Sequence, residues 1–179
     1  IVISFYNESK NINELIKKIE YLKKINNQIK EVILVDNASK DNTGEILNKV
    51  CKDFSYKFIK NDNSLGYGDG YFAGIFASSS EYILMNHSDL QFSFDISNEF
   101  NNEILNSNNT ACFVKRTGRS IISSLKTIIA RFLCMIIFHH YVPEVNGQPK
   151  LFPKKIFKDI SNYPRGYAFD LFIFKLLKK

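Results

Sequence analysis

The chain has 179 residues, 45% of them hydrophobic, and contains no tryptophan. That hydrophobic share excludes a disordered segment, and the length suits one domain with its own core. The net charge of +6 is unevenly spread: residues 1–109 carry 11 basic and 15 acidic side chains, whereas residues 110–179 carry 13 and 3, so the second part is either a solvated lysine surface or the seat of an anionic partner such as phosphate, nucleic acid or a membrane.

In chain order, residues 1–5 form a short apolar run that ends at Tyr6, Asn7 and Glu8. Residues 10–25 place Ile12, Leu15, Ile16, Ile19, Leu22 and Ile25 at helical spacing. A second strand is expected over 31–35, stopping at Asp36. Turn residues follow, then Asp41 or Asn42 as N-cap with Glu45 in the first turn of a helix reaching about residue 53. Residues 56–59 read as a third strand, 70–79 as a helix of small residues, and 81–85 as a fourth strand that runs into His87, Asp89 and Gln91.

Strands alternating with helices predict parallel strands with covering helices. In such sheets ligands bind at the carboxyl ends of the strands. The residues that follow the four apolar runs are Asn7 and Glu8, Asp36 and Asn37, Asn61 and Asp62, and His87 and Asp89. All of them are expected at one edge, where a charged ligand such as a metal-bound diphosphate would explain them. The stretch LGYGDGYFAG loosely matches a dinucleotide fingerprint. It follows the third strand rather than the first, and the spacing to an acid is wrong. Its glycines are expected to allow close backbone approach to a ligand or tight helix packing.

The segments IVISFYNES, VILVDNASKDNT, NSLGYGDGYFAGIFAS and YILMNHSDLQ together resemble family 2 glycosyltransferases of GT-A fold. VNGQPKLFPKKIF and GYAFDLFIF resemble the branch that transfers sugars to polyprenyl phosphates, the dolichyl-phosphate mannose synthase-like enzymes. The resemblance implies an α/β fold with a mostly parallel central sheet flanked by helices and a Rossmann-like N-terminal half. It implies an inverting transfer from a nucleotide-diphosphate sugar to an undecaprenyl or dolichyl phosphate at the cytoplasmic face of a membrane. A saccharide acceptor, as in cell-surface polysaccharide synthesis, and a non-catalytic sugar-nucleotide binding module are the alternatives. The resemblance leaves room for a homo-oligomer.

By the same resemblance, Tyr6, Asn7 and Glu8 hold the nucleoside, Asp36 contacts base or ribose, and Asp69, in the glycine-containing loop, lies near the nucleotide. The family's Asp-x-Asp motif binds divalent metal and diphosphate, and here it reads His87-Ser88-Asp89. Mg2+ prefers oxygen ligands, whereas a histidine nitrogen suits Mn2+ or softer ions. Three options stay open: His87 joins Asp89 as a ligand, His87 touches phosphate directly, or the metal site is weakened. A divalent metal, Mg2+ or Mn2+, is the expectation. Gln91 completes the donor side.

For the acceptor, Lys115 and Arg116 end the apolar run ACFV, and Arg131 lies in a long apolar segment. Arg116 matches a basic position of the family near the acceptor phosphate, which a guanidinium can grip by two parallel hydrogen bonds. Asn146, Gln148 and Lys150 alternate along a strand expected to return to the active edge, so all three share one side. Asp170 stands among Tyr167, Phe169, Leu171 and Phe172. An acid there is costly unless paired or useful, and it is either the base or ordering group that many relatives carry at this place or the N-cap of a helix starting near residue 171.

Residues 120–138 read as an amphipathic helix in a membrane interface or as a buried helix; Lys126 and Arg131 argue against a span. Cys51, Cys112 and Cys134 lie far apart, which fits a reducing compartment and no zinc site. No stacking-aromatic or groove-helix motif accompanies the charge, so a nucleic-acid partner is not expected. The chain starts inside a strand-like run and ends inside a helix-like one, and it is expected to be one glycosyltransferase domain truncated at both ends. Residues 1–109 would be its nucleotide-sugar-binding half, and residues 110–179 its acceptor-binding half with the amphipathic segment 120–138.

Overall fold

The computed structural model describes residues 1–63, 66–90, 111–114, 128, 132, 135 and 147–178. Its elements are β1 (Val2–Phe5), α1 (Ile12–Ile25), β2 (Ile33–Asn37), α2 (Thr43–Asp53), β3 (Lys57–Asn61), α3 (Tyr67–Ala77), β4 (Tyr82–His87), β5 (Cys112–Phe113), β6 (Lys150–Pro153), a 3-10 turn (Lys154–Phe157) and α4 (Ala168–Leu177). The six strands form one sheet in the order β3-β2-β1-β4-β6-β5. β1 to β4 run parallel, while β6 runs antiparallel to β4 and to β5. Segments from both parts of the sequence therefore complete a single sheet.

Side-chain alternation along the strands sorts the core into two layers. Ile3, Phe5 and Leu34 face α1 and α2, where Leu15, Ile19, Leu22, Leu47 and Cys51 close the first layer. Val2, Ile33, Val35, Met85 and Phe152 face α3 and α4, where Tyr71, Ile75, Phe169 and Ile173 close the second. Fully burying each such aliphatic side chain favours folding by about 1.5–3 kcal/mol. The helical stripe of α1 is buried as the spacing requires, except for its last member, Ile25, which is exposed.

Several boundaries differ from the sequence expectation. β2 and β4 each run two residues further than their apolar runs. Main-chain pairing carries on under polar side chains, with Phe5 opposite Asp36 and Ser4 opposite His87. α3 starts at Tyr67 rather than residue 70, so Asp69 sits in the first turn of a helix and not in a loop. α4 starts at Ala168, which makes Asp170 a first-turn residue and not the N-cap. The N-cap of α2 is Asn42, but it makes no side-chain capping bond. Asp41 supplies the oxygen instead, accepting from the Thr43 N–H at 3.0 Å.

The glycines of α3 serve packing. A Cβ on Gly70 would strike the Ser4 hydroxyl and lie 3.0 Å from Asn37, and one on Gly74 would strike Val2 and lie 3.1 Å from Val35. α3 thus rests directly on β1 and β2, the strands that aim Tyr6, Glu8 and Asn37 at the carboxyl edge.

Candidate active site

An open cleft of about 1380 Å3 lies over the carboxyl ends of β1 to β4. β1 has β2 on one side and β4 on the other, so the strand order reverses there. Such a switch point leaves a crevice that connecting loops cannot fill. Of the residues singled out in the sequence, Tyr6, Glu8, Asn37, Asn61, Asp62, His87, Asp89 and Asp170 line this cleft together.

The loop after β1 is braced rather than free. Asn7 adopts a positive φ of 56°. Its N–H donates to Ser39 Oγ at 3.0 Å and its Oδ1 accepts from the Lys40 N–H at 2.8 Å. Asn7 therefore ties the β1 loop to the β2 loop and does not line the cleft. Glu8 does line it, with its N–H on Thr43 Oγ1 at 3.0 Å and its carboxylate accepting from Asn11 Nδ2 at 2.6 Å. Tyr6 stands half exposed at the rim.

Asp36 is buried. Its Oδ1 accepts from the Ser39 N–H at 3.0 Å, and its Oδ2 packs where only the missing side chain of Gly44 leaves room. It fastens its own loop, and the neighbouring Asn37 takes the cleft position. Asn37 is held there by Asn61, which donates to its Oδ1 at 3.0 Å, and by the Gly66 carbonyl at 3.1 Å. Asp69 likewise turns away from the cleft because α3 begins early. It accepts from the Tyr163 hydroxyl at 3.3 Å and has the Arg165 guanidinium at 3.9 Å. Lys40 and Lys60 bring positive charge to the cleft wall.

A ladder of aromatic rings, which residue chemistry alone did not single out, leads from the rim to His87. Tyr167 is 80% exposed and stacks on Tyr67 with centroids 5.2 Å apart. Tyr67 in turn lies 4.8 Å from Tyr71 and 5.6 Å from the His87 ring. In the sequence these rings show only as three tyrosines near the glycine-rich and FD motifs. Burial, and then the neighbouring Tyr71 and Asp170, push the Tyr67 hydroxyl far above its usual range, and burial followed by Asp170 does the same for Tyr71. Both hydroxyls keep their protons and act as donors.

Tyr71 donates to the Asn86 carbonyl at 2.9 Å, and its oxygen faces His87 Nδ1 at 3.3 Å. With the tyrosine proton given to Asn86, the hydroxyl oxygen is placed to accept from Nδ1, which fits the neutral tautomer protonated at Nδ1. Among the described residues no three His, Cys, Asp or Glu side chains gather to hold a metal ion. The donor set here is one imidazole nitrogen and the Asp89 carboxylate. That set fits a divalent ion whose remaining ligands come from a diphosphate and water, and the nitrogen fits Mn2+ better than Mg2+.

On the opposite wall, Lys150 was expected to face an acceptor. Its side chain is instead wholly buried, with Nζ 3.0 Å from Asp170 Oδ1. β6 begins at Lys150 opposite Met85, well inside the sheet, which is why the ammonium is enclosed. Gln148, also buried, does not line the cleft. With its amide turned to satisfy both neighbours, it donates to the Met85 carbonyl at 2.6 Å and accepts from Lys150 Nζ at 2.9 Å. Gln91, Lys115, Arg116, Arg131 and Asn146 lie outside the described residues, as does nearly all of 120–138. No helix among the described residues is long and apolar enough to cross a membrane.

Residues 1–162 match the family model described as glycosyl transferase family 2. No curated protein matches the chain in sequence. Mannosyl-3-phosphoglycerate synthase from Rubrobacter xylanophilus superimposes with a TM-score of 0.75 at 18% identity, covering 99% of this chain and 60% of that one. Glucosyl-3-phosphoglycerate synthase from Mycobacterium tuberculosis, solved with Mn2+, UDP and glucosyl-3-phosphoglycerate, gives 0.71 at 16% identity over 95% and 61%. S. aureus TarS 1-349 in complex with UDP gives 0.67 at 21% identity over 98% and 54%. These likenesses show a shared GT-A fold, and the chain spans 53–61% of the length of such structures.

Proposed function

Since the chain belongs to glycosyl transferase family 2, we propose that it moves a sugar from a nucleotide-diphosphate donor, and that the cleft at the carboxyl edge is the donor site. The observation that carries this reading is the convergence of Tyr6, Glu8, His87, Asp89 and Asp170 on one cleft. Tyr6 offers a half-exposed ring to the base, and Glu8 and Asn37 offer polar atoms to base and ribose. His87 Nε2 and Asp89 hold the diphosphate end together with a divalent ion. When bound, that ion supplies Lewis-acid stabilisation of the charge growing on the leaving diphosphate. Lys40 and Lys60 offset part of the donor's negative charge.

In the reaction, an acceptor oxygen attacks the anomeric carbon from the face opposite the diphosphate. The new carbon–oxygen bond forms as the sugar–phosphate bond breaks, and the nucleoside diphosphate leaves with the electron pair, inverting the configuration. The proposed acceptor is a polyprenyl phosphate at the cytoplasmic face of a membrane, held by residues 110–179 while residues 1–109 hold the donor. A lipid phosphate is already an oxyanion at neutral pH and needs alignment more than a base. Asp170 then aligns sugar hydroxyls, and Lys115, Arg116 and Arg131 grip the phosphate. Two features support this acceptor. Residues 110–179 carry 13 basic against 3 acidic side chains. Ile128, Phe132 and Met135 recur at i, i+4 and i+7 and are 57%, 58% and 44% exposed.

A second acceptor, a saccharide hydroxyl, is favoured by one observation: a carboxylate, Asp170, stands in the cleft wall where it can take the hydroxyl proton. Full-length protein incubated with membranes and radiolabelled UDP-glucose, UDP-GlcNAc and GDP-mannose, with and without Mn2+ or Mg2+, separates the readings. Label entering the organic phase supports the lipid phosphate. Label in water-soluble oligosaccharide supports the saccharide. Nucleotide binding with no transfer from any donor refutes the enzymatic reading and leaves a binding module.

A further inference from the structure

The Lys150 side chain is 0% exposed and that of Asp170 is 4% exposed, yet the two form an ion pair at 3.0 Å. Removing two charges from water costs several kcal/mol per ion, and apolar residues of similar volume usually replace such a pair at no loss of stability. Apolar neighbours are at hand, since Met85 pairs with Lys150 across the sheet and Phe169 precedes Asp170, and both belong to the second core layer. Stability alone is therefore a weak account of the pair. Its position is a stronger one. Asp170 is the member that reaches the cleft, and Lys150 lies behind it.

The rest of the wall is built around that carboxylate. Gln148 accepts from Lys150 Nζ at 2.9 Å while donating to the Met85 carbonyl at 2.6 Å, which fixes the ammonium from the strand side. Tyr67 keeps its hydroxyl proton and lies 3.4 Å from both carboxylate oxygens. Asp170 also occupies the first turn of α4, where backbone N–H groups favour negative charge. Three elements, β6, α3 and α4, thus converge on one carboxylate and restrict its rotation.

We infer that Lys150 is a positioning residue for the transfer reaction: from behind the cleft wall it holds the Asp170 carboxylate charged and aimed at the sugar and acceptor, with Gln148 orienting Lys150. The inference rests on the proposed role of Asp170 in the cleft. It removes Lys150 from the cations that touch the acceptor and gives it a different task. Loss of the ammonium lets the carboxylate turn or pick up a proton, and a small misplacement of an aligning group costs on the order of 100-fold in rate.

The test compares D170N, K150M, K150Q, K150R and the double variant K150M/D170N in the full-length protein. Label transfer is read from whichever of UDP-glucose, UDP-GlcNAc and GDP-mannose the membrane assay shows to be used, alongside UDP and GDP binding with Mn2+ by calorimetry. K150M and K150Q should lose kcat by about 100-fold. UDP and GDP binding should stay within about threefold of the parent, because Lys150 does not line the cleft. K150R, which keeps the charge, should recover part of the loss. The double variant leaves no charge orphaned, so it should fold, and it should be no slower than D170N alone. A folded K150M or K150Q with kcat within about threefold of the parent, while D170N is impaired, overturns the inference and leaves Asp170's role standing. Full turnover in D170N overturns the role of Asp170 itself, and full turnover in the double variant overturns both.

Discussion

The backbone N–H of Gly68 donates to the carbonyl oxygen of Arg165 at 2.6 Å, across 97 positions of sequence. This bond caps the start of α3 with a segment from the far end of the chain, and it sets Gly166 and Tyr167 at the cleft. The contact is tight enough that a Cβ on Gly68 would strike the Pro164 carbonyl and lie 3.0 Å from both the Arg165 carbonyl oxygen and Phe169 Cβ. Backbone cannot give way as a side-chain tip can. Gly68→Ala should therefore cost about 1–3 kcal/mol, a fall of several degrees in melting temperature, and weaken donor binding as Tyr167 shifts. Gly166→Ala is the control, since nothing lies within 4 Å of a Cβ there. It should stay within about 0.5 kcal/mol of the parent. Thermal unfolding and UDP calorimetry on both variants check this, and equal effects of the two substitutions would refute it.

The hydrogen bonds of Tyr71 should be visible in metal choice. Its hydroxyl satisfies the Asn86 carbonyl and leaves its oxygen for His87 Nδ1–H. Partners that orient a metal-binding histidine usually change affinity by about 10–100-fold when removed. Tyr71→Phe should thus weaken Mn2+-dependent nucleotide binding by at least about tenfold. His87→Asp, which restores an oxygen donor, should raise Mg2+-supported binding relative to Mn2+. Imidazole nitrogen chemical shifts of the metal-free protein give an independent check, with Nδ1 protonated in the parent and a mixed population in Tyr71→Phe. Unchanged metal preference in both variants would remove His87 from the ion.

The exposed stripe of Ile128, Phe132 and Met135 bears on where the acceptor is met. Three exposed apolar side chains recur at i, i+4 and i+7, the spacing that shares a face in a helix, and they belong to the part of the chain rich in lysine and arginine. Replacing all three with serine should lower binding to phosphatidylglycerol-containing vesicles by at least about tenfold, since each buried side chain of this size contributes about 1.5–3 kcal/mol. Raised salt should weaken the parent's binding further, as expected when basic residues meet anionic lipid. Sedimentation with vesicles measures both, and retention of the triple variant would count against a membrane-facing stripe.

Much of this architecture was legible from residue order. The 3.6-residue stripe of α1 and the four apolar runs identified the alternating layers, and polar residues after each run pointed to the carboxyl edge. What escaped detection shares one physical origin. Asp36, Asn7 and Asp69 have the right chemistry for ligands, yet each is taken by a partner distant in sequence or by its own loop. Lys150 alternates correctly with Gln148, but strand alternation gives a side and not a depth, and the depth is set by pairing with β4. The start of α3 at Tyr67 depends on the Arg165 carbonyl, which no local pattern contains. The aromatic ladder of Tyr167, Tyr67 and Tyr71 needed the packing of α4 against α3 before it existed as a feature.

Stability should fail on the alkaline side, because several groups are buried in their protonated, neutral forms. Burial pushes the Cys51 thiol up to about 11 from an unfolded value of 9.0. Burial also raises Tyr56, aided by its hydrogen bond to Glu20, and raises Tyr67 and Tyr71 most strongly. Each folded value lies above its unfolded one, so the contribution is fully present below the unfolded value and is lost as pH rises towards the folded one. For Cys51 that window runs from 9.0 to about 11. For the tyrosines it opens near pH 10 and continues upward. Melting temperature should hardly change between about pH 7 and 8.5 and then fall with increasing steepness, each such group adding about 1.4 kcal/mol per pH unit within its window. Tyr67→Phe removes one of these protons and should flatten the fall above about pH 10 by that amount, whatever it does to the stability at neutral pH. Tyrosinate absorbance supplies the second reading: of the nine tyrosines, Tyr56, Tyr67 and Tyr71 should ionise only with unfolding. An alkaline profile identical in Tyr67→Phe and the parent would mean that this hydroxyl is not held as the Asp170 wall requires.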